Sequence, residues 1–161
     1  MLPLLDGIYT HRKAQNLSWK ELQYGPSKLH TNESGVSQYA SEALTLDSCD
    51  KQVELASLST QELFNAHELL YSLTQNTNTK KDPSKAWIYI FLSWLFENKH
   101  HYSDPFEAID KIYADFGYPE EVSTLVRYMP ATEDSATSED QLVHNWADFL
   151  SSYEQKLRNT V

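Results

Sequence analysis

YADFGYPEEVSTLVRYMP, residues 113–130, reads as a joint between two helices, and the fold is read outward from it. Tyr113, Ala114 and Phe116 close a helix. Gly117 stands where a left-handed residue caps a helix end. Tyr118 precedes Pro119, and a residue before proline avoids helical geometry. Pro119 opens the next segment, with Glu120 and Glu121 in the first turn, where the positive end of the dipole favours acids. Pro130 stops that segment. The pattern predicts a helix over 105–116, a tight turn, and a helix over 119–128.

Other helix starts carry the same kind of local signal. Ser18-Trp-Lys-Glu21, Ser59-Thr-Gln-Glu62 and Ser138-Glu-Asp-Gln141 fit capping boxes. Asp82-Pro83 and Asp104-Pro105 put a capping acid before a proline whose missing N–H costs nothing at the first helical position. Helices are expected at 18–24, 34–48, 59–75, 83–99, 105–116, 119–128 and 139–157. In the last, Leu142, Trp146, Phe149, Leu150, Tyr153 and Leu157 form one apolar stripe. The 83–99 helix is apolar almost all round, with Trp87 and Trp94 a heptad apart. It is expected at the centre. Gly25-Pro26 reads as the end of the first helix, 4–11 (LLDGIYTH) as a short extended segment, and 75–81 and 131–137 as loops. Four glycines and six prolines are little turn chemistry for a β-sandwich or barrel. The expectation is an all-α, single-domain irregular bundle of about six or seven helices over residues 1–161.

Charge narrows the function classes. Thirteen basic and 23 acidic residues give a net charge of −10. That opposes contact with a phosphate backbone and docking on anionic membranes, and favours basic protein partners. The 119–128 helix has helix-turn-helix spacing but only one arginine, so no nucleic-acid partner is expected. Cys49 is the sole cysteine, which rules out an internal disulfide and fits a reducing compartment. It reads as lying near a helix C-terminus beside Asp47 and Asp50, where a thiolate is disfavoured. No basic region followed by a long apolar run opens the chain, and the apolar-rich run 86–96 is too short to span a bilayer. A soluble, cytoplasmic protein is expected.

Catalytic motifs are missing from the sequence. The six histidines show no HExxH, HxH or Cys–His ligand spacing, and His100-His101 fits a helix end, so no metal is expected. No nucleophile elbow, P-loop or glycine-rich dinucleotide fingerprint occurs, so no cofactor and no catalytic residue is assigned. A small metal-dependent or carboxylate-based hydrolase, with acids converging from different elements, stays open as an alternative, as does a regulatory adaptor.

Acidity is uneven. Residues 104–140 hold ten acids against Lys111 and Arg127, a net of −8, together with Phe106, Tyr113, Phe116, Tyr118 and Tyr128. Acids steer a basic partner and tyrosines anchor interfaces. The partner-binding residues expected are Asp110, Tyr118, Glu120, Glu121, Glu133 and Asp134. Asp115 and Arg127 are expected to pair across the joint, because a half-buried arginine needs a carboxylate. Residues 93–130 resemble an uncharacterised bacterial domain-of-unknown-function family, most clearly at Trp94, Tyr102, Asp104-Pro105, 113–116, Tyr118-Pro119 and 127–130. That family brings no established catalytic residues. Its small, acidic, helical character is similar to that of immunity proteins that neutralise toxins. The resemblance therefore implies a non-catalytic interaction protein, an immunity protein binding a cognate bacterial toxin.

Overall fold

The computed structural model describes residues 2–75, 81–127 and 138–159. Among these residues there are eight α-helices, three 3-10 turns and no strand. The all-α expectation holds, with more helices than the six or seven anticipated. Backbone packing divides the chain into two compact units, Leu2–Trp87 and Ile88–Val161.

The first unit contains α1 (Gly7–Lys13), α2 (Trp19–Ser27), α3 (Glu33–Glu42), α4 (Asp50–Ala56) and α5 (Ala66–Thr74). Its spine is α3. Val36, Tyr39 and Ala40 share a core with Leu22 of α2, Leu55 of α4 and Ala66, Leu69, Leu70 and Leu73 of α5. The polar side chains of Tyr39, Ser37 and Gln52 are paired inside. The Tyr39 hydroxyl donates to the Ala14 carbonyl and accepts from the Leu17 N–H at 3.0 Å. Ser37 Oγ donates to the Leu55 carbonyl at 2.8 Å, and the Gln52 amide to the Ala40 carbonyl at 3.2 Å. Each such group left unpaired would cost about 1–3 kcal/mol. Helix α1 crosses α3 so closely that a Cβ on Gly7 would run into the Gly35 carbonyl and the Tyr39 amide.

Five expectations in this unit are corrected. The segment 4–11 is extended at most over its first three residues, since 7–11 belong to α1. Asp6 caps α1 by accepting from the Tyr9 N–H at 2.7 Å. Gly25-Pro26 does not end α2, which runs through both to Ser27. Gly25 serves packing instead, since a Cβ there would strike the Trp87 indole. The helix expected to reach residue 48 stops at Glu42, and α4 follows as an element that was not anticipated. Cys49 is therefore the N-cap of α4 and not near a helix C-terminus. The 59–75 helix begins as a 3-10 turn, Thr60–Asn65, before α5.

Helix α6 (Ser84–Glu97) runs across the boundary between the units. Every residue from Ala86 to Ser93 is buried, as its nearly continuous apolar sequence requires, and so is Leu95. Trp87 is fully buried, whereas Trp94 is half-buried.

The second unit adds a 3-10 turn at Lys99–His101, α7 (Pro105–Asp115), a 3-10 turn at Glu120–Leu125 and α8 (Glu139–Asn159). Trp146 of α8 is its centre. The buried indole donates to the Leu92 carbonyl at 3.1 Å, with Phe96 edge-on at 5.1 Å and Phe106 at 6.2 Å. Further along, Tyr153 stacks on Tyr89 at 4.6 Å, and the Tyr89 hydroxyl donates to Glu154 Oε1 at 3.2 Å. The apolar stripe of α8 is thus the face that packs. Residues 120–125 form a 3-10 turn in place of the expected α-helix.

Candidate functional site

Helix α7 and the joint after it place the acidic segment. Asp104 opens α7, with Oδ1 accepting from the Phe106 N–H at 3.2 Å and Pro105 in the first helical position. Phe106, Ile109, Ile112 and Tyr113 are buried, so Glu107, Lys111 and Asp115 turn outward. The helix ends in a Schellman arrangement. Tyr118 N–H donates to the Tyr113 carbonyl at 2.8 Å and Gly117 N–H to the Ala114 carbonyl at 3.1 Å. Gly117 has φ 78°, the left-handed cap its position predicted. Tyr118 is left-handed too, at φ 59°, an uncommon conformation for a residue with a side chain. Two consecutive left-handed residues turn the chain sharply and leave the Tyr118 ring 69% exposed, edge-on to Tyr113 at 5.2 Å. Pro119, Glu120 and Glu121 follow, both acids exposed, while Val122 and Leu125 anchor the turn in the core.

Arg127 draws the end of this turn back to the start of α7. Its guanidinium donates to Asp104 Oδ2 at 2.8 Å and lies 4.0 Å from Asp110 Oδ2. It also sits over the Phe106 ring at 5.8 Å. The expected partner was Asp115. That residue is exposed near the end of α7, whereas the carboxylate that meets Arg127 is Asp104, at the opposite end. Local spacing favoured Asp115 because it is nearer in sequence. The sharp turn instead directs the chain back along α7.

Asp110 also differs from its expected role. It is half-buried and faces Arg127, so it belongs to the structural cluster more than to the outer surface. Burial pushes its carboxyl up, the Arg127 charge pulls it down, and Asp104 and Glu107 push it up further. Its Oδ1 is buried and accepts no hydrogen bond among the described residues. Tyr118, Glu120 and Glu121 are exposed. Glu133 and Asp134 lie outside the described residues.

A family model described as an uncharacterized protein conserved in bacteria, DUF2247, matches residues 9–154. The chain belongs to the DUF2247 family. No curated protein and no solved structure matches it. The match to DUF2247 takes in both α7 and the joint. Among the described residues of this DUF2247 chain, no group of three or more His, Cys, Asp or Glu side chains is arranged to hold a metal ion, and no helix is long and apolar enough to cross a membrane.

Proposed function

We propose that this DUF2247 protein is a stoichiometric binding protein, an immunity protein that occludes a basic surface of a cognate bacterial toxin. The observation that carries the reading is the presentation of Tyr118. A helix cap fixes its backbone, its ring stands exposed, and Glu120 and Glu121 adjoin it. An aromatic held in place loses little entropy on binding, and adjoining acids select a basic partner. Glu107 and Asp115 on α7, with Glu133 and Asp134, extend the charge that steers the encounter.

The test is affinity capture from the native cell with the wild-type chain and with Tyr118→Ala, followed by mass spectrometry. A basic protein recovered in equimolar amount by the wild type, and weakened about tenfold or more by Tyr118→Ala, supports the reading, that loss being typical of an interface anchor. Equal capture by both chains, or capture only of acidic proteins, rejects it. A gene for a large protein with a toxin-like C-terminus immediately upstream is the cheaper supporting observation.

A further inference from the structure

The outward side of α2 carries Lys20, Gln23, Tyr24 and Ser27, at helical spacing i, i+3, i+4 and i+7 on one face. With Pro26, His67 of α5 and Pro83 they line an open cleft of about 480 Å³. That volume falls within the roughly 300–1,000 Å³ of small-molecule sites.

One wall of the cleft is fixed from behind. The Tyr24 ring packs against His30 at 5.8 Å, and His30 against Trp87 at 5.6 Å. The buried Trp87 indole donates to the Glu21 carbonyl at 2.6 Å, three residues before Tyr24 on the same helix. Among the described residues, those that line the cleft are a lysine, an imidazole and neutral groups, in a chain of net charge −10. His67 is oriented by Glu33, Nε2 to Oε1 at 2.7 Å. His67 already has a carboxylate partner in Glu33, so Lys20 is the cation that the cleft offers to an anion. Asp82, whose carboxylate holds the Ser84 N–H and hydroxyl at 2.9 and 2.7 Å, lies near Tyr24. Burial, and then the Asp82 charge, push the Tyr24 phenol up, so it stays a neutral donor.

We propose that this cleft binds a small organic carboxylate with a flat apolar body. The carboxylate meets Lys20 and His67, and the body lies on Tyr24, Pro26 and Pro83. Gln23 offers an amide to further polar groups. This site is independent of the acidic surface in the other unit, and its failure would leave that reading untouched.

Benzoate is the probe, with benzamide as its uncharged counterpart and acetate as the charge without the ring. Each is titrated into the full chain and followed by amide-resolved NMR. Benzoate is expected to shift the amides of Tyr24, Ser27 and His67 saturably, with benzamide and acetate each about tenfold weaker. Lys20→Met is expected to weaken benzoate about fivefold or more without changing the melting temperature, and His67→Gln to weaken it less. Equal affinity for benzoate and benzamide overturns the proposal. So does a saturable site elsewhere, benzoate binding unchanged by Lys20→Met, or no shift by about 20 mM benzoate.

Discussion

Asp104 serves two structures with one carboxylate: Oδ1 caps α7 at the Phe106 N–H, and Oδ2 accepts from Arg127, 23 residues further along the chain. The start of α7 and the end of the joint are therefore tied together. An N-cap contributes about 1 kcal/mol, and a partly buried arginine–carboxylate pair contributes more than a fully exposed one. Asp104→Ala is expected to cost roughly 2 kcal/mol, since it removes both. Asp104→Asn keeps a capping oxygen and loses the charge, so its cost should fall between alanine and wild type. Denaturant unfolding of these variants with Arg127→Ala completes a double-mutant cycle. The combined cost of Asp104→Ala and Arg127→Ala should be less than additive. Strict additivity would mean that the two residues do not interact.

Leu29 occupies a position usually given to glycine. Helix α2 ends in a Schellman motif, with Leu29 N–H donating to the Pro26 carbonyl at 3.2 Å and His30 N–H to the Gly25 carbonyl at 2.9 Å. The left-handed residue at its corner is Leu29, at φ 61° and 79% exposed. A left-handed non-glycine residue costs about 1–2 kcal/mol, and glycine's greater freedom in the unfolded chain returns part of that. Leu29→Gly should therefore stabilise the protein by roughly 0.5–1 kcal/mol. A lower melting temperature in the variant would show that the leucine side chain contributes packing that outweighs the strain.

His30 makes stability depend on pH. Burial, and then the Lys28 charge, lower its pKa from 6.5 to about 4. The unfolded chain takes up this proton near 6.5, whereas the folded one resists until about 4. The contribution is therefore full above the unfolded value and is lost as pH falls through that window. With the ring partly open to solvent, the loss is roughly 2 kcal/mol between pH 7 and pH 4. His30→Gln, which cannot titrate, is expected to flatten the melting-temperature profile between pH 7 and pH 4 relative to wild type. Parallel profiles would mean that His30 is accessible enough to protonate without penalty.

Signals that act over three or four residues were legible in the sequence. The Ser18–Glu21 capping box, the Asp104 cap, Gly117 and the apolar stripe of α8 all act within a turn or two of themselves. Residues governed by distant packing were not. Gly25 looks like a helix stop but is small because Trp87 lies against it. Gly7 reads as part of an extended segment but permits α1 to touch α3. A 3-10 turn at Glu120–Leu125 and an α-helix share the same local pattern, and only how the segment is anchored separates them. The partner of Arg127 was misjudged for a related reason. Asp104 had an evident local role as a cap, and nothing within a turn of it marks its second one. On the candidate surface, Tyr118, Glu120 and Glu121 are exposed, whereas Asp110 turns to Arg127.

The central claim is that acids around the joint guide a basic protein onto Tyr118. The most direct measurement is the association rate constant with the captured partner, at low and at high salt, for wild type and for a chain carrying Glu120→Lys, Glu121→Lys, Glu133→Lys and Asp134→Lys. Wild-type association should slow as salt rises while dissociation changes little. The reversed chain should associate about tenfold or more slowly at low salt, with the difference shrinking at high salt, as steering by charge requires. Its melting temperature should barely move, because exposed charges each contribute little to stability. An unchanged association rate at low salt in a folded reversed chain would contradict the account and place the binding surface elsewhere.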